Sequence, residues 1–367
     1  MAFGQQRLKG VRIKRPGCAA LPRKIGVPCA LNAARAAWAA LLLGLTLTTA
    51  AAAPETPIRF SLDSKIDGPS APYLLPLDMG YYKAEDLNVS VDAATSSLEA
   101  INRVAAETYD MGIADINALI RFRDANPRTP VKAIFMVYNR PAYAVIGRKS
   151  RGIAAPRDLE GKKLGAPTDD PTYAQWPIFV KANGIDASKV TIENIGAPVR
   201  EPMLAAGQVD AVTGLSYNNF INLKEKGVPV DDIVVLSMAD YGVDLYGDAI
   251  IVNQKFAAAH ADAVNRFLRA FLKGLKETVQ APTAAIEPVL KRNDTAKKEL
   301  EVERLKMAIR DVITPEVKSN GYGGIDALRF ARTIDETALA YRFKSAKPKL
   351  EDIFDPAYLP TAADRRF

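Results

Sequence analysis

Apolar residues recur along the chain with two periods, one typical of strands and one of helices, and the two alternate. Residues 143–215 show an apolar run at 143–147, a short helix ending at Gly161, a second strand, a polar loop, a helix and a strand at 210–214. Such alternation predicts a parallel α/β layer whose ligand-binding loops lie at the carboxyl ends of the strands.

The preceding part of the chain shows the same alternation. Strands are predicted at 58–62, 109–116 and 131–138, a helix begins near Pro72, and residues 96–107 form an amphipathic helix. The apolar positions of that helix lie on one side: Leu98, Ile101, Val104 and Ala105.

After a strand at 233–237, an apolar run at 249–252 returns the chain to the first layer, and the remaining pattern is helical. The predicted C-terminal helices are 261–280, 283–291, 295–313 and 326–341. Two crossings between two layers predict an α/β fold of two lobes joined by two hinge crossings, with a helical C-terminal segment. The predicted parts are 54–148 for the first lobe, 149–247 for the second lobe, and 248–367 for the return to the first lobe and the C-terminal helices.

The first 53 residues have the pattern of a cleaved secretory signal. They carry eight Lys or Arg and no acid, with an apolar run at 36–47 and a small-residue segment at 48–53 before Pro54. The apolar run is shorter than the roughly 20 residues that a transmembrane helix needs. We therefore expect export to the periplasm, with no membrane anchor after cleavage.

Charge and composition exclude several classes of function for the exported part. Without the eight cations of the signal, the formal charge of +7 becomes −1, so no basic excess remains to attract nucleic acid. Cys18 and Cys29 both lie in the signal, and the single histidine, His260, is expected to be exposed or to cap a helix. The exported part therefore lacks the cysteines of a thiolate metal site and has only one histidine for a Ser-His-Asp triad. No cofactor is expected.

Polar and aromatic side chains near strand ends are the candidates for ligand contact, because two lobes that close on a solute present these positions to each other. The candidates of the first lobe are Tyr73, Asp115, Asn117 and Tyr138. The candidates of the second lobe and its return crossing are Thr168, Asp169, Asp170, Thr172, Trp176, Thr213, Ser216, Tyr217, Tyr241 and Tyr246.

Structural roles compete with ligand contact at some of these positions. Asp115 is equally suited to capping the helix that follows it. The loop Asp169-Asp170-Pro171-Thr172 has helix capping as its alternative, although a polar loop at the carboxyl end of a strand is the expected ligand site. Packing inside a lobe is the alternative for the aromatic candidates Tyr73, Tyr138 and Trp176. We interpret Asp244 and Asp248, near the return crossing, as surface or turn residues.

Two motifs carry a family resemblance. Residues 152–165 read Gly-Ile-Ala-Ala-Pro-Arg-Asp-Leu-Glu-Gly-Lys-Lys-Leu-Gly, and residues 204–211 read Leu-Ala-Ala-Gly-Gln-Val-Asp-Ala. They resemble the second lobe of periplasmic solute-binding proteins of ABC importers, within the NMT1/THI5-like group of thiamine-pyrimidine, sulfonate, taurine and nitrate binders. The resemblance covers residues 58–280. It implies a type II periplasmic-binding-protein fold, a small-molecule ligand, an ABC permease with its ATPase as partners, and a monomer.

The loop at 168–172 departs from the anion-binding version of this family. It aligns with the Gly-Ser-Thr-like loop of sulfonate binders but contains two acids, and Asp115 faces it from the other lobe. Carboxylates repel an anion, and tyrosine and tryptophan suit a flat ring. We therefore predict a neutral or amine-bearing heteroaromatic solute that resembles the thiamine pyrimidine precursor. Arg140 or Arg200 reaching inward would instead favour a sulfonate or nitrate.

Catalysis is not expected. The fungal pyrimidine synthases that the family resembles use a Cys-rich motif with an active His and Lys, and sulfinate-cleaving relatives use a Cys. An exported chain without cysteine, with His260 alone, contains neither set. Two alternatives stay open: a sensory module that presents the ligand to a receptor has the same cleft, and a secreted hydrolase would turn over chromogenic substrates.

Overall fold

The computed structural model describes residues 55–168 and 170–367. The predicted signal at 1–53 and the candidate Asp169 therefore lie outside the described residues. The strands, in chain order, are β1 Thr56–Ser61, β2 Leu87–Asp92, β3 Met111–Asp115, β4 Val131–Met136, β5 Tyr143–Arg148, β6 Lys163–Ala166, β7 Thr191–Asn194, β8 Ala211–Leu215, β9 Ile233–Ser237 and β10 Asp248–Asn253.

The strands form two five-stranded sheets, one for each lobe. The first sheet has the order β2-β1-β3-β10-β4, and the second has the order β7-β6-β8-β5-β9. In the first sheet β10 runs antiparallel to its neighbours, and in the second sheet β5 does so. The chain crosses between the sheets after β4 and again before β10, which confirms the predicted α/β fold of two lobes joined by two crossings.

Strand β5 places the start of the second lobe earlier than predicted. It pairs along its length with β8 and β9, for example Tyr143 with Leu215 and Arg148 with Ile233. The second lobe therefore begins at residue 143 and not at 149. A continuous apolar run suits the interior of either sheet, so its pattern does not show which sheet it joins.

Helices cover the faces of both sheets. In chain order they are α1 Ala71–Asp78, α2 Tyr81–Ala84, α3 Ser97–Ala105, α4 Ile116–Ala125, α5 Pro171–Ala174, α6 Trp176–Asn183, α7 Arg200–Ala205, α8 Ser216–Glu225, α9 Gln254–Ala259, α10 Ala261–Gln280, α11 Pro282–Ala285, α12 Glu287–Leu290, α13 Lys298–Val312, α14 Pro315–Asn320, α15 Ala327–Tyr341 and α16 Leu350–Ile353.

Two details differ from the sequence pattern. Leu98 was expected on the buried side of α3, but its exposed fraction is 53%, whereas Ile101 and Val104 are buried. The predicted helix at 283–291 is divided into α11 and α12, because Pro288 has no backbone N–H with which to continue a helical ladder.

An aromatic stack holds α1 and α10 against the first sheet. The ring of Phe60 on β1 lies 5.4 Å from that of Tyr73 and 5.3 Å from that of Phe267, and Tyr73 lies 5.2 Å from Phe271. Residues 267 and 271 lie one turn apart on α10 and so face the same way. This packing places the first turn of α1, and with it Tyr73, at the edge of the sheet that faces the second lobe.

Candidate functional site

A cleft of about 450 Å³ lies between the lobes, within the size range of small-ligand sites. It is lined by the segments that follow β1, β2, β4, β6, β7 and β8, by residues of β3 and the end of β8, and by the first residues of β5 and β10. Because β10 runs antiparallel to β3, its first residue lies at the same sheet edge as the last residue of β3. The cleft thus occupies the position at which an α/β sheet binds ligands.

The segment between β1 and α1 supplies two carboxyl groups, Asp63 and Asp67. Asp63 accepts a 2.9 Å hydrogen bond from the Ser97 hydroxyl, and that hydroxyl accepts the backbone N–H of Asp115 at 3.0 Å. Burial raises the pKa of Asp63 to about 6 and that of Asp67 to about 7. Asp67 is only 2% exposed, and its Oδ1 atom has no hydrogen-bond partner within the described residues.

Asp115 ends β3 and caps α4. Its Oδ1 accepts the backbone N–H of Ala118 at 2.8 Å, and its Oδ2 accepts the hydroxyl of Tyr143 at 2.5 Å. Burial raises the pKa of Asp115 and that of Tyr143. The helix-capping alternative for Asp115 is therefore observed, and the same side chain also lines the cleft.

Asp248 does not fit its interpretation as a surface or turn residue. It is the first residue of β10, stands opposite Asp115 in the ladder and lines the cleft. Burial, together with the charges of Asp63 and Asp115, raises its pKa well above the usual value. Asp244, by contrast, is an exposed residue as expected and forms a 2.8 Å ion pair with Arg329.

In the second lobe, one ion pair shapes the loop between β6 and α5. Asp170 caps the backbone N–H of Thr172 at 2.7 Å and binds the Arg200 guanidinium at 2.7 Å. Arg200 also donates to the backbone carbonyl of Thr213 at 3.0 Å. Asp170, Thr172 and Arg200 line the cleft. Thr168 lies outside the lining, where its backbone N–H donates to Asn194 at 3.3 Å.

Tyrosines form much of the remaining wall. Three candidates line the cleft, Tyr73, Tyr138 and Tyr217. Tyr143 also lines it, although it was not predicted because it begins a strand. Tyr217 lies in the first turn of α8 in the second lobe, yet it packs in the same apolar cluster as Tyr73 and Tyr138 of the first lobe. The two lobes therefore meet through aromatic surface at the back of the cleft.

Three aromatic candidates lie elsewhere, so the structure does not bring them to the cleft. Trp176 packs in the core of the second lobe, 6.0 Å from Phe179, and Tyr241 meets the same ring edge-on at 6.3 Å. Tyr246 is fully buried in the first lobe, where its hydroxyl donates to Glu316 at 3.0 Å. Each ring fills space inside its own lobe, which periodicity alone does not distinguish from a ligand platform.

Three polar candidates lie behind the cleft wall. Asn117 donates to the backbone carbonyl of Tyr246 at 2.8 Å and accepts from the Thr337 hydroxyl at 3.1 Å. Thr213 is fully buried on β8, and Ser216 donates its backbone N–H to the carbonyl of Ala142 at 2.7 Å. On β8, Thr213 is one position from the lining residue Gly214, as expected when neighbouring strand residues point to opposite sides. Ser216 lies between the lining residues Leu215 and Tyr217, and Asn117 lies on α4, two positions after Asp115.

Sequence reasoning missed several lining residues. Asp63 follows β1 directly, so the rule that selected strand ends could have identified it. Asp248 begins a strand, and only the antiparallel direction of β10 brings it to the ligand edge. The other missed residues on the lining with side chains able to bind polar groups are Ser64, Asp67, Ser70, Thr95, Ser96, Ser97, Tyr143 and Asn218.

The chain is similar to proteins named as binding proteins. A family model described as NMT1/THI5 like matches residues 69–285. The chain is 26% identical to the formylaminopyrimidine-binding protein of Halalkalibacterium halodurans over 68% of this chain and 75% of that one. It is 27% identical to the riboflavin-binding protein RibY of Chloroflexus aurantiacus over 59% of this chain and 61% of that one.

A synthase also matches. The 4-amino-5-hydroxymethyl-2-methylpyrimidine phosphate synthase of Aspergillus parasiticus is 27% identical over 59% of this chain and 65% of its own length. Among solved structures, the periplasmic aliphatic sulphonate binding protein SsuA of Escherichia coli superposes with a TM-score of 0.66 at 13% identity, covering 84% of this chain and 95% of that one.

The sulphonate-binding structure confirms the periplasmic-binding-protein fold. In the part of the chain that the structure describes, no helix has the length and apolar character needed to cross a bilayer. Because the family model spans more than half of the chain, this protein belongs to the NMT1/THI5-like family.

Proposed function

We propose that this protein is the extracytoplasmic solute-binding component of an ABC importer and that it binds a small nitrogenous heteroaromatic solute. The observation that carries the proposal is the composition of the interlobe cleft, which is lined by tyrosine rings from both lobes and by several carboxyl side chains. Flat faces for stacking and acceptors for N–H groups are what an aminopyrimidine or a larger nitrogen heterocycle requires. The formylaminopyrimidine- and riboflavin-binding relatives support this ligand class.

An anionic ligand is the competing candidate, because the fold is shared with a sulphonate binder. The two arginines that could favour it are both paired. Arg200 lines the cleft but binds Asp170 at 2.7 Å, and Arg140 lies outside the lining, bound to Asp311 and Asp240 at 2.8 Å each. An anion would therefore have to compete with existing carboxylates for each guanidinium.

Binding without chemistry remains our expectation for this chain, although a synthase is among its relatives. After residue 53 the chain has no cysteine. His260 is exposed between α9 and α10, and it does not line the cleft. General acid–base or nucleophilic chemistry of the family's kind needs a thiol or imidazole within reach of the substrate.

The remaining parts of the proposal concern partners and location. Periplasmic residence follows from the signal pattern of residues 1–53 and from the fold shared with periplasmic proteins. We also propose that the protein acts as a monomer and delivers its solute to a permease with its ATPase; the two-lobed architecture with an interlobe cleft supports the delivery role. Release to a receptor is distinguished from delivery by whether a permease and an ATPase are encoded next to this protein.

Thermal unfolding of the secreted protein tests the ligand class. The panel consists of 4-aminopyrimidines, riboflavin, taurine, an alkanesulfonate and nitrate. Ligands that bind only the folded state raise the melting temperature by mass action, and we expect this with the heterocycles. A rise produced by the sulfonate or nitrate alone would contradict the proposed ligand class, and product formation from any heterocycle would contradict the absence of catalysis.

A further inference from the structure

Two buried polar atoms on the first-lobe wall have no partner within the described residues, the Oδ1 atom of Asp67 and the hydroxyl of Tyr73. Both residues line the cleft, and they are 2% and 3% exposed. The aromatic stack with Phe60 and Phe271 fixes the ring of Tyr73, so its hydroxyl cannot turn toward solvent without disrupting the core. Buried polar groups are nearly always hydrogen-bonded. We therefore expect a ligand in the cleft to donate to the Asp67 oxygen and to accept from the Tyr73 hydroxyl.

The same wall is acidic and lacks a free counter-ion. Asp63, Asp67 and Asp248 line it, and among the described lining residues the one cation is Arg200 of the opposite lobe, which is engaged by Asp170. The basic residues that act on Asp67 from outside the lining are Lys65, which is exposed, and Arg304, which binds Glu301 at 3.1 Å and Asn218 at 2.6 Å. This wall therefore carries more carboxyl groups than cations among the described residues.

We propose that Asp67, Asp248 and Tyr73 form a subsite for a positively charged amino group and an adjacent acceptor nitrogen, so that the solute is a cationic heteroaromatic. This inference rests on the proposed function and narrows its ligand class. A carboxylate that accepts from an ammonium or amidinium group makes a charge-assisted bond, stronger than a neutral one. The Tyr73 hydroxyl donates to the acceptor nitrogen, and the charge of the solute offsets the repulsion among the carboxylates.

Two pyrimidines that differ at one substituent test the charge of the ligand. 4-Amino-5-(aminomethyl)-2-methylpyrimidine carries an ammonium group at neutral pH, and 4-amino-5-(hydroxymethyl)-2-methylpyrimidine is its neutral counterpart. Isothermal titration calorimetry at pH 7.5, with protein secreted from cells that express the full chain, measures both affinities. We expect the cationic probe to bind at least about tenfold more tightly, as a charge-assisted pair in a buried site implies.

Variants test whether the preference for the cationic probe comes from the proposed subsite. Asp67→Asn and Asp248→Asn keep the shape of each side chain but cannot form the carboxylate that pairs with a cation, so each should weaken the cationic probe about tenfold while changing the neutral probe less than about threefold. Asp262→Asn removes a charge from the same lobe at a side chain that is 82% exposed, so it is the matched control and should alter neither affinity. Circular dichroism checks that each variant is folded.

The outcomes separate this inference from the proposed function. Equal affinities of the secreted protein for the two probes would overturn the cation subsite and leave heteroaromatic binding intact. If the ratio of the two probe affinities is unchanged in both Asp67→Asn and Asp248→Asn, the cation subsite is likewise overturned and heteroaromatic binding stays intact. Binding of neither probe would overturn the proposed ligand class and, with it, the subsite. If Asp67→Asn does not fold, the probe ratio of the unmodified protein and the result of Asp248→Asn decide.

Discussion

The hydroxyl of Tyr143 donates a 2.5 Å hydrogen bond to the carboxyl group of Asp115, and this bond joins the first strand of the second lobe to the first lobe. The other oxygen of Asp115 caps α4 through the backbone N–H of Ala118. One side chain thus ends a strand, begins a helix and links the lobes at the wall of the cleft. Ligand contact at Asp115 stays a prediction. A ligand bound there would affect the end of β3, the start of α4 and the link between the lobes.

The Tyr143→Phe variant tests the link between the lobes. Removing the hydroxyl leaves the buried Oδ2 atom of Asp115 with only the long 3.5 Å bond from the Asn117 amide, so we expect the free energy of unfolding to fall by about 1–2 kcal/mol. Urea denaturation measures the loss. Tyr358→Phe is the control, because the Tyr358 hydroxyl makes no hydrogen bond within the described residues. Equal losses in the two variants would show that the bond does not contribute.

Arg304 on α13 connects the first-lobe wall to the second lobe. Its guanidinium binds Glu301 at 3.1 Å and Asn218 of α8 at 2.6 Å, and Glu301 accepts the backbone N–H of Gly68 at 2.7 Å. Arg304→Met leaves the Glu301 carboxylate buried without its cation, and we expect a loss of about 3 kcal/mol or more. Urea denaturation of the double variant Glu301→Gln/Arg304→Met should show a smaller loss than Arg304→Met alone, and simple additivity of the two single losses would contradict this coupling.

The stability of the unliganded protein should fall as the pH rises from about 4 to 7. Burial raises the pKa of Asp63 to about 6 and that of Asp67 to about 7, above the roughly 3.9 of an unfolded aspartate. The folded state then binds more protons than the unfolded state in this window, so the contribution of these groups is full below about pH 4 and is lost as the pH rises through the folded pKa values. Thermal unfolding between pH 4.5 and 8 measures the slope.

The Asp67→Asn variant measures how much of this pH dependence of stability comes from Asp67 in the cleft and how much from other groups that titrate in the same pH range. Burial comes first among the influences on the pKa of Asp67; Arg304 and Lys65 lower it, and Glu301 and Asp63 raise it. The variant should be more stable than the unmodified protein at pH 8 and should show a shallower slope. The slope should not vanish, because burial also raises the pKa of Asp311 to about 7. An unchanged slope would show that Asp67 titrates normally.

Trp176→Ala tests the placement of this ring in the core. Truncating a buried tryptophan leaves a cavity, so we expect the free energy of unfolding to fall by about 3–5 kcal/mol. Because Trp176 does not line the cleft, the affinity of the folded variant for an aminopyrimidine should not change. Tyr217→Ala, at a residue that lines the cleft, should lower that affinity. Calorimetric titration in which Trp176→Ala lost affinity and Tyr217→Ala kept it would reverse the two assignments.

The cleft shows which kind of site residue could be predicted from the sequence. Tyr73, Asp115, Asp170 and Thr172 were selected because they lie where a parallel strand ends or where the following helix begins, and all four line the cleft. Trp176 met the same rule and lies in the core. The difference is which way a side chain points after the strand ends, and that depends on the packing of the helix that follows.

The sequence by itself determined the α/β alternation, the two crossings and the family, because periodicity and the motifs at 152–165 and 204–211 are local properties of the chain. Only the tertiary structure decided that β5 joins the second sheet and that Asp248 lines the same cleft as Asp63 and Asp67. These groups are separated by about half of the chain, and the direction of β10 brings them together. A charge interaction between residues so far apart depends on distance in space, which no local pattern encodes.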